Sequence, residues 1–168
     1  RSAVFLDYDS DGDSDLFVGG GSLPGRYPIA SRSALFENRS GTFVLLQSQL
    51  ELFSHLSLVT DVASGDMDGD GTEDLVVAQE GGSIRGFLNR DGVFEDTTKV
   101  MGLSQYSGLW QCAHLADVNG DGRKDIVAGN FGNNTVYATY PLPVRLAYLD
   151  LQGRETVGAL EFHYDKGL

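Results

Sequence analysis

The chain has 168 residues, with 24 acidic against 12 basic side chains, a formal charge of −12 and a single cysteine. That charge excludes nucleic acid and anionic membrane as natural partners, since both repel an acidic surface. One cysteine excludes an intrachain disulfide framework, and no apolar run approaches the roughly 18 residues of a membrane span.

In chain order, Arg1 opens directly onto the strand-like run Val4-Phe5-Leu6, the expectation for a piece cut from a longer protein. Asp7–Asp15 reads D-Y-D-S-D-G-D-S-D and leads into the strand Leu16-Phe17-Val18. A Gly- and Pro-rich insertion, Gly19–Pro28, precedes Phe36–Phe43, F-E-N-R-S-G-T-F, whose turn residues flanked by aromatics predict a β-hairpin. After the connection Gln47–Ser57 the pattern returns: Asp66–Asp74, D-M-D-G-D-G-T-E-D, then Leu75-Val76-Val77, then the hairpin Phe87–Phe94, F-L-N-R-D-G-V-F. The segment Thr97–Trp110 leads to Asp117–Asp125, D-V-N-G-D-G-R-K-D, and to the strand Ile126-Val127-Ala128. Between them, Cys112 is expected to be a small buried residue and His114 a core or wall residue. A third hairpin due near residue 138 is missing, because Ala138–Pro143 has none of its residues. Asp150–Gly158 aligns with the acidic loops but holds Gln152, Arg154 and Gly158 at ligand positions and Glu155 for the turn glycine, so it is not expected to bind metal. Arg154 is expected to supply the positive charge there.

The shared motif is D-x-[DN]-x-D-G-x-x-D. Oxygen donors at positions 1, 3, 5 and 9, with a glycine at 6 for the sharp turn, are what a hard cation such as calcium requires of a short loop. The three loops hold 13 of the 24 acidic residues, and three divalent ions would bring the charge from −12 to −6. Solvated acidic turns are the bland alternative, and three copies that each lead into a strand argue against it. An EF-hand would need a bidentate Glu at position 12, where Val18, Val77 and Ala128 stand instead. Thrombospondin-like repeats would bring cysteines, and the glycine-rich nonapeptide of calcium β-rolls is absent.

Spacing adds architecture. The two hairpin motifs lie 51 residues apart, as do Asp66 and Asp117, whereas Asp7 and Asp66 are 59 apart because the first copy carries eight extra residues around Gly19–Pro28. Each unit reads as four strands, a period that signals an all-β, partial β-propeller, with a solenoid as the alternative. Small residues in the inner strands (Ala63, Gly65, Ala113, Ala116) suit crowding near a propeller axis. The expected division is about three four-stranded blades plus the start of a fourth: blade 1 at 1–57, blade 2 at 58–108, a shortened blade 3 at 109–142, and a degenerate unit at 143–168. Calcium loops fall between the first and second strands of each blade, and the remaining blades are expected elsewhere in the full-length chain.

These motifs, with Asp15–Gly20, Pro24–Pro28 and Gly129–Thr135, resemble the FG-GAP/VCBS repeats of α-integrin-like propellers. They are similar above all to bacterial VCBS proteins related to the ASPIC/UnbV and cartilage-acidic-protein group. The resemblance implies a calcium-stiffened propeller on a secreted or surface-exposed protein, placed outside the cell, in the periplasm or on the outer surface. It implies side-chain ligands at positions 1, 3, 5 and 9 and a backbone carbonyl at 7. These are Asp7, Asp9, Asp11, Asp13 and Asp15; Asp66, Asp68, Asp70, Thr72 and Asp74; and Asp117, Asn119, Asp121, Arg123 and Asp125. With Asn119 and fewer carboxylates, the third of the three expected calcium sites should be the weakest.

In a four-stranded meander the acidic loops and hairpins share one face. The insertion, the interblade segments Gln47–Ser57 and Thr97–Trp110, and Asn130–Asn134 are expected on the other. That second face, with Arg26, Tyr27, Tyr106 and Trp110, is the expected place for a protein or glycan ligand, though Trp110 also reads as a packing residue and Tyr27 as a brace for its own loop. His55, His114 and His163 are scattered and define no catalytic constellation. Two functions remain: a non-enzymatic recognition or adhesion scaffold, or part of a propeller-fold polysaccharide lyase or hydrolase with structural calcium. Asn38 and Asn133 begin N-x-[ST] sequons, which matter only in a eukaryotic secretory pathway.

Overall fold

Short runs of aromatic and β-branched residues, each ended by a turn rich in Gly, Asp or Asn, build an all-β chain. The structure, a computed structural model, describes residues 2–132, 145–149 and 158–162. Strands β1 (Ala3–Leu6), β2 (Asp15–Val18), β3 (Ala34–Arg39) and β4 (Thr42–Leu45) form an antiparallel meander in which each pairs with the next. The same order recurs in β5 (Leu58–Gly65), β6 (Asp74–Ser83), β7 (Arg85–Arg90) and β8 (Val93–Asp96). β9 (Ser107–Ala116) pairs with β10 (Asp125–Asn130), and β11 (Arg145–Leu149) with β12 (Gly158–Phe162). The missing third hairpin, the degenerate loop with Arg154, His163 and the sequon at Asn133 lie outside the described residues.

β6 shows how the units stack. Leu75 and Val77 enter one apolar cluster with Leu6, Phe17 and Leu35 of the first unit, while Val76 and Ala78 enter a second with Met67, Ile84 and Ala113. All four β6 residues are fully buried. A strand covered on both faces reads as an unbroken apolar run, which is why Leu75–Ala78 shows no alternation. Sheets packed face to face around repeated four-stranded units make this a partial β-propeller. The units approach closely at Gly19, where a Cβ would stand 2.4 Å from Val59 Cγ1 of the next unit. Beyond β5, the end of β6 pairs with β9 (Glu80 with Leu109, Ser83 with Ser107), which joins the second and third units in one sheet.

Two expectations need correction. The first half of Gln47–Ser57 does not line the face opposite the acidic loops. It forms a 3-10 turn (Gln47–Gln49) and a short helix α1 (Leu50–Phe53) that plug the groove between units. Phe53 is fully buried and meets Phe17, Phe87 and Phe94 edge-on at centroid distances of 4.9, 5.3 and 6.0 Å. Burial of that ring pulls the segment inward. Gln49 follows, donating from Nε2 to the Gly92 carbonyl at 2.9 Å and accepting the Phe94 N–H at 3.0 Å. Cys112 and His114 are exposed rather than buried. They alternate along β9 with Ala113 and Leu115, which hold the second cluster, so they must face away from it.

Candidate metal centres

Four backbone donors close each acidic loop in the same way. The N–H of position 2 donates to the position-9 carboxylate: Tyr8 to Asp15 at 3.0 Å, Met67 to Asp74 at 2.7 Å, Val118 to Asp125 at 3.0 Å. The glycine at position 6 donates to position 1: Gly12 to Asp7, Gly71 to Asp66, Gly122 to Asp117, at 3.1, 3.0 and 2.8 Å. Its φ of +90°, +89° and +86° in the three copies is the left-handed conformation that requires glycine there. Position 5 donates to the side chain of position 3 (Asp9, Asp68, Asn119), and position 7 to that of position 5 (Asp11, Asp70, Asp121). Side-chain oxygens at 1, 3 and 5 are thereby turned toward the interior of the loop.

The hairpin motif belongs to the same device. The second oxygen of Asp15 accepts the Asn38 N–H at 2.8 Å, and that of Asp74 accepts the Asn89 N–H at 2.8 Å. The asparagine amides return the contact: Asn38 Nδ2 donates to the Ser14 carbonyl at 3.1 Å, and Asn89 Nδ2 to that of Glu73 at 3.2 Å. Their Oδ1 atoms cap the turn N–H groups of Gly41 and Gly92. Asn89 goes further, donating to the Tyr8 carbonyl at 2.7 Å, so the second hairpin is stitched to the first acidic loop. Asn38, half-buried and committed to Ser14, is a poor glycan acceptor. Asp15 and Asp74 are buried, which pushes both carboxyls up against the pull of these amides. Each carboxylate has about four lone-pair sites, so two amides leave room for a metal.

The loops differ in electrostatics. In the first, Asp7, Asp9 and Asp11 bring oxygens within 4.8 Å of one another, and buried Asp7 Oδ1 and Asp13 Oδ1 have no hydrogen-bond partner. Burial first, then the neighbouring carboxylates with Asp11 foremost, pushes Asp9 and Asp13 up. An all-oxygen cage with uncompensated charge and orphaned buried acceptors fits a hard divalent cation. In the second loop, Asp66, Asp68 and Asp74 cluster within the same distance. There the Thr72 hydroxyl (2.6 Å from Asp70 Oδ1) and amide, and then Arg90, hold Asp70 down. Arg90 Nη1 lies 2.6 Å from both Asp68 Oδ2 and Asp70 Oδ2. In the third, Asn119 donates to Asp121 at 3.1 Å, and backbone amides, led by those of Gly122 and Arg123, hold Asp117 and Asp121 down. No group of three acidic residues gathers in this third loop among the described residues. At position 7 the Thr72 and Arg123 amides donate to position 5, and Thr72 adds its hydroxyl.

The four residues expected on the opposite face are not gathered into one pocket. A groove of about 240 Å³ is lined by Tyr106 and Trp110 with Ile84, Leu103, Ile126 and Ala128. Tyr106 is exposed, while Trp110 packs on the second cluster and donates from Nε1 to the Tyr106 carbonyl at 3.1 Å. Arg26 and Tyr27 sit on the insertion, and the Tyr27 hydroxyl donates to Glu80 of β6, bracing the insertion against the next unit rather than its own loop alone. Sequence reasoning missed Arg90, Asn89 and Gln49 as parts of the site. The repeated N-R pair of the hairpin was the available signal for the first two.

A repeated blade with an acidic loop between its first two strands, clamped by its own hairpin, defines a β-propeller repeat protein. Two overlapping stretches, residues 7–77 and 66–128, match the FG-GAP-like repeat family. The chain belongs to that family. No curated protein sequence matches it. Among the described residues, no helix is long and apolar enough to cross a membrane.

Proposed function

We propose that the chain is a calcium-braced β-propeller scaffold for recognition or adhesion outside the cell, on a secreted or surface-exposed bacterial protein. The observation that carries the calcium reading is the first loop, where Asp7 Oδ1 and Asp13 Oδ1 are buried without partners among five aspartates. The side chains of Asp7, Asp9, Asp11 and Asp15 with the Asp13 carbonyl would hold one ion. Asp66, Asp68, Asp70 and Asp74 with Thr72 would hold a second, and Asp117, Asn119, Asp121 and Asp125 with Arg123 a third. Calcium would neutralise the clustered carboxylates of these loops. The protein's own part is to hold the oxygens inward through the four repeated amide contacts and to carry that order outward. The position-9 carboxylate carries it into the hairpin, and Asn89 carries it from the second unit back to the first acidic loop.

An ion that binds only the folded state at tenfold saturation contributes about 1.4 kcal/mol per site. Affinities of about 10⁻⁴–10⁻³ M suit an extracellular module in millimolar calcium. The blade division 1–57, 58–108, 109–142 and 143–168 belongs to this reading, as does a protein or glycan partner on the face of Arg26, Tyr27, Tyr106 and Trp110. Thermal unfolding in calcium against chelator tests the brace: three sites raise Tm by roughly 8–16 °C in a chain of this size. An unchanged Tm in millimolar calcium would sink it.

A further inference from the structure

We propose that Arg90 is a built-in counter-cation of the second acidic loop, which calcium must displace, and that Glu37 keeps the equivalent Arg39 off the first loop. This rests on the calcium reading above. Both arginines are the fourth residue of the same hairpin motif, and both end a strand opposite an equivalent partner (Arg39 with Thr42, Arg90 with Val93). Each follows the asparagine that clamps its acidic loop. Their side chains nevertheless take different partners. Arg90 Nη1 lies 2.6 Å from Asp68 and Asp70, at positions 3 and 5, whereas Arg39 Nη2 lies 2.7 Å from Glu37.

The difference traces to the residue two places earlier, which shares a strand face with the arginine. In the first unit it is Glu37, an anion within reach. In the second it is Leu88, which packs on the apolar cluster and offers no charge. Arg90 therefore turns to the loop, and its exposed guanidinium is free to leave when a stronger cation arrives. The loops come to differ in kind. The first holds five aspartates with its arginine diverted, so its charge awaits an external ion. The second carries a resident cation on two of its predicted ligands, so it stays closed alone and yields those oxygens only by exchange. Such exposed pairs are weak and screened by salt, so the exchange is modest and sensitive to ionic strength.

The test is a calcium chloride titration of the whole chain followed by NMR, with the position-6 amides of Gly12 and Gly71 as separate reporters. R90Q is expected to lower the Gly71 midpoint about three- to tenfold and leave that of Gly12 unchanged. E37L is expected to free Arg39 and raise the Gly12 midpoint by a similar factor, and E37L/R39Q to restore it. A Gly71 midpoint that R90Q leaves unchanged or raises, or an E37L effect that survives removal of Arg39, overturns this proposal alone. Absence of any calcium-dependent shift at Gly12 and Gly71 in the unaltered chain overturns the calcium reading and this proposal with it.

Discussion

Replacement of Asn89 by alanine tests the stitch between units. Asn89 is fully buried, and its side chain satisfies the Tyr8 carbonyl at 2.7 Å, the Glu73 carbonyl at 3.2 Å and the Gly92 N–H at 2.9 Å. Alanine leaves all three without that partner. The Tyr8 carbonyl is the buried one, and a buried polar group left unpaired costs about 1–3 kcal/mol. The other two, partly buried, each lose a contact worth about 0.5–1.5 kcal/mol. Asn38 provides the control: it makes the two contacts within its own unit, to Ser14 and Gly41, both more exposed. N89A is therefore expected to lose about 1–3 kcal/mol more than N38A, a large share of a typical domain's stability. Urea unfolding of both variants in the same calcium concentration measures the difference as a shift in midpoint at constant slope. Equal losses would refute the reasoning, since they would mean that the contact across units adds nothing.

Phe53→Ala removes the ring that fills the groove between Phe17, Phe87 and Phe94, and should cost about 3–5 kcal/mol in the same unfolding assay. The dependence on pH should change sign with calcium. In chelator, Asp9, Asp13 and Asp15 have carboxyls raised in the folded state, so they bind protons more readily folded than unfolded. Their penalty is present at neutral pH and relieved as pH falls through the raised values, so Tm should rise on mild acidification. Asp70, Asp117 and Asp121, held down when folded, act oppositely, and their contribution is lost only below the ordinary carboxylate range. With calcium present, protons compete with the ion and Tm should fall over the window where it rose in chelator; parallel profiles in the two buffers would contradict this.

Much of the architecture is legible in local spacing. D-x-[DN]-x-D-G-x-x-D before an apolar run specifies strand, loop and strand, because the glycine at 6 and the amide contacts it permits involve only residues within the loop. The N-R-x-G hairpins are legible for the same reason. What escaped reading depends on contacts between units. Nothing near Asn89 announces that its amide reaches Tyr8, and nothing near Gln49 announces Gly92. The divergence of Arg39 and Arg90 turns on one neighbour, Glu37 against Leu88, inside a motif whose other residues look equivalent. In sequence, Cys112 stands between Trp110 and Ala113, a context that suggests burial. Only the alternation of β9 around Ala113 and Leu115 shows that it faces outward.

The central claim is that the acidic loops hold calcium. Native mass spectrometry of the chain after equilibration in millimolar calcium tests it most directly. The account predicts three ions per chain, one fewer in each of D7N, D66N and D117N, and loss of the third-loop ion first as calcium is lowered. A chain that carries no calcium, or a count that none of these substitutions reduces, would contradict it.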